Sequence, residues 1–229
     1  MVQMPVSYTD VVLCATCGID YDLILRQPGD AISIVALHGG TLAPYTAELA
    51  TELAGGDHNL YLFLAHAARP ELRISPLRAR EARLDVLVGH SMAIVSIDAC
   101  DDREPAARIG GANAALIATL SASLAAVDVT VSPSTAPGIE LSRAYFFNRA
   151  AEGGVELSFS AELLASLYAG QAAEERRQRL VAAVRDGLQQ YLAETRSDLG
   201  RTMERFERDT ARIPIPMRQT RGRPERNGE

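Results

Sequence analysis

Lysine is absent from this chain of 229 residues, in which every long basic side chain is an arginine and the formal net charge is −6. An acidic protein of this kind lacks the positive surface that general nucleic-acid binding requires, so we expect no nucleic-acid partner. The chain has three cysteines, an odd number. Cys14 and Cys17 have neither a second cysteine pair nor a nearby histidine with which to hold a metal. We expect these two to be reduced cysteines on a short N-terminal helix.

Long apolar runs are also missing, and the N-terminus lacks the basic and then apolar layout of a secretory signal. The sequence therefore predicts a cytoplasmic protein without a membrane partner. It contains no P-loop, no Gly-x-Gly-x-x-Gly motif and no nucleophile elbow. Nucleotide binding thus has no support from any motif.

What the chain does contain is an alternation of short apolar runs with helical patterns. Residues 60–64 and 93–97 are apolar runs typical of buried strands, whereas 46–53 has helical spacing. Gly110-Gly111 is predicted to begin a further helix over 112–126. This alternation is typical of an α/β fold, here a single domain with a mixed, mostly parallel sheet flanked by helices.

The organisation of the chain is predicted in three parts. The α/β domain covers residues 1–170, a long and highly charged C-terminal helix covers 171–210, and an arginine- and proline-rich tail over 211–229 is expected to be disordered. The long helix carries a weak apolar stripe. It is therefore expected either to dock on the domain or to join a second copy into a homo-oligomer.

A candidate site follows from the segment 31–40, an apolar β-branched run that ends in His38, Gly39 and Gly40. Parallel α/β sheets build their sites at the carboxyl ends of strands, and the two glycines let the backbone turn sharply beside the histidine. His38 is therefore the first candidate functional residue.

Stretches on both sides of His38 occur in a recognisable order. They are Gly18–Asp22, His38–Ala50, Val95–Cys100, Ile109–Gly111, Phe147–Arg149 and Gly154–Ser158. This ordered set, over residues 18–165, resembles the poly-γ-glutamate hydrolase family, whose members are also known as phage-related replication proteins. The resemblance implies a fold similar to zinc carboxypeptidases and amidohydrolases. It also implies cleavage of γ-glutamyl amide bonds with one zinc ion and an acid/base glutamate.

The chain departs from the family pattern at the residues that would hold the metal. His38 matches the first ligand, but Ala43 stands where the family has a glutamate and Asp98 where it has a histidine. Ser158 stands at the position of the catalytic glutamate, with Glu156 two residues earlier on the same strand face. His38 and Asp98 are thus the metal ligands that remain, fewer than the three of a usual catalytic zinc site. The cofactor is expected to be either zinc or none.

Arginines supply the candidate substrate contacts. Asn148 and Arg149 match the family, and Arg78 replaces one of its histidines. An arginine fork suits a carboxylate, so we expect a small-molecule or peptide substrate that bears one.

Three functions remain open from the sequence. The first is a divergent, metal-independent hydrolase-like enzyme that uses His38 with Asp98 or Glu156 as an acid/base pair; on this scaffold the reaction could also be a repurposed cyclisation, elimination or isomerisation. The second is a zinc-dependent γ-glutamyl amide hydrolase with relocated ligands. The third is a non-catalytic binding or assembly protein, because a fold does not decide an activity.

Overall fold

A computed structural model of the chain describes residues 6–102, 106–170 and 172–210, with the backbone alone for 198–210. The predicted tail over 211–229 lies outside the described residues. The chain forms two compact units that divide after Tyr191, and the α/β fold is the first of them. No helix within the described residues combines the length and apolar character that a bilayer crossing requires.

A mixed sheet of seven strands forms the centre of the first unit, in the order β1-β3-β2-β4-β7-β5-β6. Its strands are β1 (Tyr21–Arg26), β2 (Ile32–Gly40), β3 (Asn59–Ala65), β4 (Ala93–Cys100), β5 (Ala106–Gly111), β6 (Thr130–Pro133) and β7 (Gly154–Ser160). Strands β3, β2, β4 and β7 run parallel to one another, whereas β1 is antiparallel to β3. Strand β5 is antiparallel to β7 and parallel to β6. The predicted single-domain α/β class with a mixed, mostly parallel sheet is confirmed.

The central strands are apolar because both of their faces are covered. Every residue of β2 from Ile32 to Gly39 is buried, as expected for a parallel strand between two layers of helices. The helices are α1 (Tyr8–Cys14), α2 (Thr46–Ala54), α3 (Ala82–His90), α4 (Ala114–Ala125), α5 (Ala161–Tyr168) and α6 (Ala173–Thr210), with 3₁₀ turns at Pro70–Leu72 and Phe146–Arg149.

The helix predicted over 112–126 is confirmed as α4, but the strand before it was not predicted. Gly110 and Gly111 end this strand, β5, which pairs antiparallel with β7. At Gly111 φ is +149°, and a Cβ there would collide with the carbonyl of Gly154, so the close pairing requires glycine. Helix α4 begins only at Ala114, where the side chain of Asn113 accepts a hydrogen bond from the backbone N–H of Leu116 at 2.9 Å.

The C-terminal helix α6 packs on the first unit up to Tyr191. Its predicted apolar stripe is buried at Leu180, Val184, Leu188 and Tyr191. Gly187 packs directly against the side chain of Ser123 on α4. This part of α6 therefore docks on the domain, the first of the two predicted arrangements, and the homo-oligomer stays a prediction.

Candidate functional site

Three parallel strands bring the candidate residues to one region of the sheet. His38 lies near the carboxyl end of β2, Asp98 near the carboxyl end of β4, and Glu156 in the first half of β7. Strand β2 pairs with β4 only as far as Val35 opposite Ser96. Beyond that point the two strands separate, which leaves room for side chains between them.

A bulge in β2 directs His38 to this place. Ala36 pairs with Leu62 and Gly39 with Leu64, so Leu37 and His38 together face a single residue of β3. The extra residue in such a bulge changes the direction in which side chains leave the strand. Gly39 and Gly40 follow because α2 and β3 pack against them: a Cβ on Gly39 would lie 2.8 Å from the Cβ of Ala47.

Both ring nitrogens of His38 form hydrogen bonds with other residues of the protein. Nδ1 lies 2.9 and 3.0 Å from the two carboxylate oxygens of Asp98, and Nε2 lies 2.8 Å from the backbone carbonyl oxygen of Ile74. A carbonyl can only accept, so Nε2 carries a proton and donates it. With Nε2 protonated, Nδ1 also has to carry a proton if it is to donate to a carboxylate.

The charges of this pair follow from the geometry. Burial on its own would lower the pKa of His38, but the Asp98 carboxylate and the Ile74 carbonyl outweigh it and hold the pKa above its ordinary value. Burial would raise the pKa of Asp98, and the charge and hydrogen bond of His38 reverse this and lower it. His38 and Asp98 therefore form an imidazolium–carboxylate ion pair, with side chains 5% and 17% exposed.

Glu156 lies beside this ion pair on the same sheet face. Register places Ser96 opposite Glu156 and Asp98 opposite Ser158, so Glu156 is diagonal to Asp98. Burial, and then the charge of Asp98, raise the pKa of Glu156 to about 7, against a smaller lowering by His38. Near neutral pH this carboxyl group is thus present in both protonation states.

Arg73 adds a cation at the edge of the site. It follows the 3₁₀ turn Pro70–Leu72, is exposed, and donates from Nη2 to the backbone carbonyl of Leu42 at 2.8 Å. Its charge helps to lower the pKa of Asp98 and opposes the protonation of His38. Arg73 therefore lies within electrostatic reach of the buried pair.

These residues do not fit a zinc ion. A histidine binds zinc through the lone pair of a neutral ring nitrogen, and both nitrogens of His38 already donate to protein acceptors. Ala43 has no donor atom, and Ser158 replaces a carboxylate with a hydroxyl. Within the described residues, no three His, Cys, Asp or Glu side chains are grouped so that they could hold a metal.

The other histidines lie elsewhere. His58, just before β3, pairs with Asp30. His66 is exposed and lies 3.0 Å from Asp22. His90 ends α3, where its Nδ1 lies 2.8 Å from the carbonyl of Val86, and it precedes the amino end of β4. None of the three replaces a missing ligand.

Asn148 and Arg149, which match the family, use their polar side-chain atoms in hydrogen bonds within the protein. Asn148 is buried; its Oδ1 accepts from the backbone N–H of Ala112 at 2.9 Å and its Nδ2 donates to the carbonyls of Ile139 and Ser142. Arg149 donates to Asp85 at 2.8 Å and to the carbonyl of Ala79 at 3.1 Å. These contacts favour a role in stabilising the fold for both residues. Their substrate-binding role and that of the exposed Arg78 stay predictions.

Sequence reasoning missed Arg73 and the carbonyl of Ile74. Residues 73–75 form an extended segment outside the named strands, with a bridge between Ile74 and Val6. The alternation of buried Leu72, exposed Arg73 and buried Ile74 was the available signal, since it marks the arginine as the side chain that faces outward.

Comparison with known proteins places the fold. A bacteriophage poly-gamma-glutamate hydrolase of known structure superposes with a TM-score of 0.72 at 17% identity, over 80% of this chain and 95% of that chain. The zinc-free apo form of YndL superposes with a TM-score of 0.67 at 19% identity, over 74% of this chain and 90% of that chain. Both likenesses are of fold.

Two sequence comparisons match stretches of different length. UPF0714 protein YndL of Bacillus subtilis (strain 168) is 27% identical over 94 residues, which are 40% of this chain and span only 37% of the length of that relative. The sequence model of the family described as poly-gamma-glutamate hydrolase, however, matches residues 7–193. The resemblance seen in the ordered motifs is thereby confirmed, and the chain belongs to the poly-gamma-glutamate hydrolase family.

Proposed function

We propose that this protein hydrolyses an amide bond in a peptidic substrate that bears carboxylates, and that Glu156 moves the proton. The single observation that carries this proposal is the position of Glu156, partly buried beside the His38–Asp98 pair with a pKa of about 7. A general base works best when its pKa lies near the working pH. Membership of a hydrolase family supports the reaction class.

The proton transfers follow from this carboxyl group. In its ionised form Glu156 accepts a proton from a water molecule that attacks the amide carbonyl carbon. The C–N bond of the resulting tetrahedral intermediate then breaks, and Glu156 returns the proton to the leaving nitrogen. The products are a carboxylic acid and an amine, and Glu156 is ionised again.

His38 and Asp98 have an indirect task in this mechanism. The imidazolium has no free nitrogen with which to take a proton, so the acid/base role predicted for His38 is transferred to Glu156. Burial raises the pKa of Glu156, and the negative charge of Asp98 adds to this increase. His38 holds Asp98 in its ionised state and in place, because it donates to both carboxylate oxygens.

No step is assigned to zinc, because the donor atoms around His38 do not match a zinc site. The zinc-dependent alternative would require His38 to lose one ring proton and the hydrogen bond that it makes, and at least one further ligand to join His38 and Asp98.

Hydrolysis of short γ-linked glutamate peptides tests the proposal. The wild-type chain should release glutamate or shorter peptides, and Glu156→Gln should reduce kcat/KM by at least about a hundredfold, the usual size of a general acid–base contribution. Glu152→Gln is the matched control, since Glu152 is exposed on the turn before β7. The profile of kcat/KM against pH should rise through a pKa near 7. Wild-type activity that persists in Glu156→Gln would refute the proposal.

A second candidate function is binding without turnover. The observation in its favour is that both ring nitrogens of His38 are used inside the protein, as in a site that has become structural. This candidate predicts that γ-linked glutamate peptides bind the wild-type chain and are recovered intact. It also predicts that the peptides bind the Glu156→Gln chain with the same affinity as the wild-type chain.

A further inference from the structure

We propose that Arg73 is the anchor for a substrate carboxylate next to the scissile amide. The inference rests on the proposed function, since it names the substrate group that the same site recognises. It replaces Arg149, Asn148 and Arg78 with a residue that the family resemblance did not indicate.

The donors of Arg73 are largely free. Its side chain is exposed, and in the described part of the chain it forms no salt bridge. A guanidinium has five N–H donors, and one nitrogen, Nη2, donates to the carbonyl of Leu42. The remaining edge can present two parallel N–H groups, which is the arrangement that binds a carboxylate most strongly.

Arg149 shows the contrast within the same protein. Its side chain is 13% exposed and already faces Asp85 at 2.8 Å. A substrate carboxylate would have to displace Asp85 from it. Arg73 would bind the same group without losing a charged partner, and therefore without leaving a protein carboxylate unpaired.

The backbone around Arg73 is held to the site. Nε2 of His38 donates to the carbonyl of Ile74, the next residue along, and the backbone N–H of Ser75 donates to the carbonyl of Val6 at 2.9 Å. The bond to Leu42 ties the guanidinium itself to the loop that follows β2. A side chain fixed in this way loses little freedom when a ligand binds, which strengthens binding.

The charges of the neighbouring side chains explain why an acidic substrate would need Arg73. The His38–Asp98 ion pair has no net charge, and Glu156 in its ionised form would repel an acidic peptide. Arg73 is the cation of the described cluster that has no carboxylate partner. It can therefore offset the repulsion and align the amide of the substrate with Glu156.

Binding calorimetry at pH 7 tests this anchor with two probes. One is a γ-linked glutamate pentapeptide, and the other is the same peptide with its α-carboxylates amidated. All chains carry Glu156→Gln so that the peptide stays intact. Arg73→Gln should weaken binding of the acidic peptide about ten- to a hundredfold, the range expected for one charged hydrogen-bonded contact. Arg73→Lys should weaken it less, because the charge remains without the fork.

The controls separate charge at this site from charge in general. Arg176→Gln, an exposed arginine of α6, should leave the affinity unchanged. The amidated peptide should bind the unsubstituted Arg73 chain as weakly as the acidic peptide binds Arg73→Gln, and should lose nothing further on that substitution. If Arg73→Gln does not fold, the affinities of the acidic and amidated peptides are compared between the Arg73→Lys chain and the parent chain. A smaller preference for the acidic peptide in Arg73→Lys supports the anchor, and an unchanged preference contradicts it.

Equal affinity for both peptides, or an equal loss for both on Arg73→Gln, would overturn the anchor. Failure of the proposed function has a different signature. If the wild-type chain prefers the acidic peptide through Arg73 but leaves it uncleaved, the hydrolase is refuted and the anchor stands. If cleavage occurs at the same rate for acidic and amidated peptides, the anchor is refuted and the hydrolase stands.

Discussion

Nε2 of His38 donates to the backbone carbonyl of Ile74 across 2.8 Å, while Nδ1 of the same ring faces Asp98. One side chain thus joins strand β2, strand β4 and the segment that carries Arg73. A histidine in this position of the sequence resembles a metal ligand. In the fold it is half of a buried ion pair, and both of its ring nitrogens donate to protein acceptors.

Removal of the charge on Asp98 should destabilise the protein strongly. Asp98→Asn leaves the His38 imidazolium buried without its counter-ion, or forces it to lose a proton and a hydrogen bond. We expect the free energy of unfolding to fall by about 3 kcal/mol, as for other broken buried ion pairs. Urea denaturation at pH 6, where His38 is protonated, measures this. Asp22→Asn is the control, because Asp22 pairs with His66 at the surface and its loss should be far smaller. Equal losses for both variants would contradict a charged pair.

The raised pKa of Glu156 predicts that stability falls as pH rises. Its pKa moves from an ordinary value of 4.5 to about 7, so between these values the folded state holds a proton that the unfolded state has lost. The free energy of unfolding should therefore decrease across this window, by about 3 kcal/mol in total, and change no further from this group above it.

Glu156→Gln isolates that contribution. The variant should be more stable than the wild-type chain at pH 8 and differ little from it at pH 4, since the wild-type glutamic acid is then neutral as well. Because the pKa of His38 is also raised, both chains should lose stability as pH rises through the folded pKa of His38. Thermal unfolding at a series of pH values separates the two groups. A constant difference between the chains would exclude the buried, proton-holding Glu156.

The parts of the site that the sequence predicted lie on strands with strong local patterns. His38 and Asp98 each end an apolar run in a parallel sheet, so their approach follows from the fold class alone. The carbonyl of Ile74 belongs to a segment without regular pairing, and nothing local indicates that it meets Nε2 of His38. Strand β5 was missed for a related reason: it exists through antiparallel pairing with β7, a contact between residues far apart in the chain.

The glycine pair after His38 should be required for folding. Gly40 has φ +71°, and a Cβ on it would collide with the carbonyl of Ala65 on β3. We expect Gly40→Ala to lower the free energy of unfolding by about 2 kcal/mol or more. Gly56→Ala is the matched control, because Gly56 is exposed and has no atom within 4 Å of an added Cβ. A Gly40→Ala chain as stable as Gly56→Ala would show that β2 and β3 are not packed as described.

Arg149 should matter for stability and leave substrate affinity unchanged. Arg149→Gln removes the bonds to Asp85 and to the carbonyl of Ala79, which should cost about 2 kcal/mol of unfolding free energy because the guanidinium is largely buried. The KM for γ-linked glutamate peptides should stay at its wild-type value at temperatures where the variant is folded. A large rise in KM with normal stability would instead support the substrate contact predicted from the sequence.

Zinc should neither bind stoichiometrically at His38 nor stabilise the fold. A ligand that binds only the folded state at a hundred times its Kd adds about 2.7 kcal/mol to the free energy of unfolding. Zinc at 100-fold excess over a micromolar Kd would therefore raise the Tm visibly if a site existed, and a chelator would lower it. We expect neither change in the wild-type chain, because a zinc ion would have to displace a proton and its hydrogen bond from the His38 imidazolium and would find too few further ligands around it within the described residues. Metal analysis of the purified protein gives the independent measure. One zinc per chain that is lost in His38→Ala would show that one ring nitrogen of His38 gives up its hydrogen bond to coordinate metal, and the His38 that donates from both nitrogens would then be a property of the metal-free state alone.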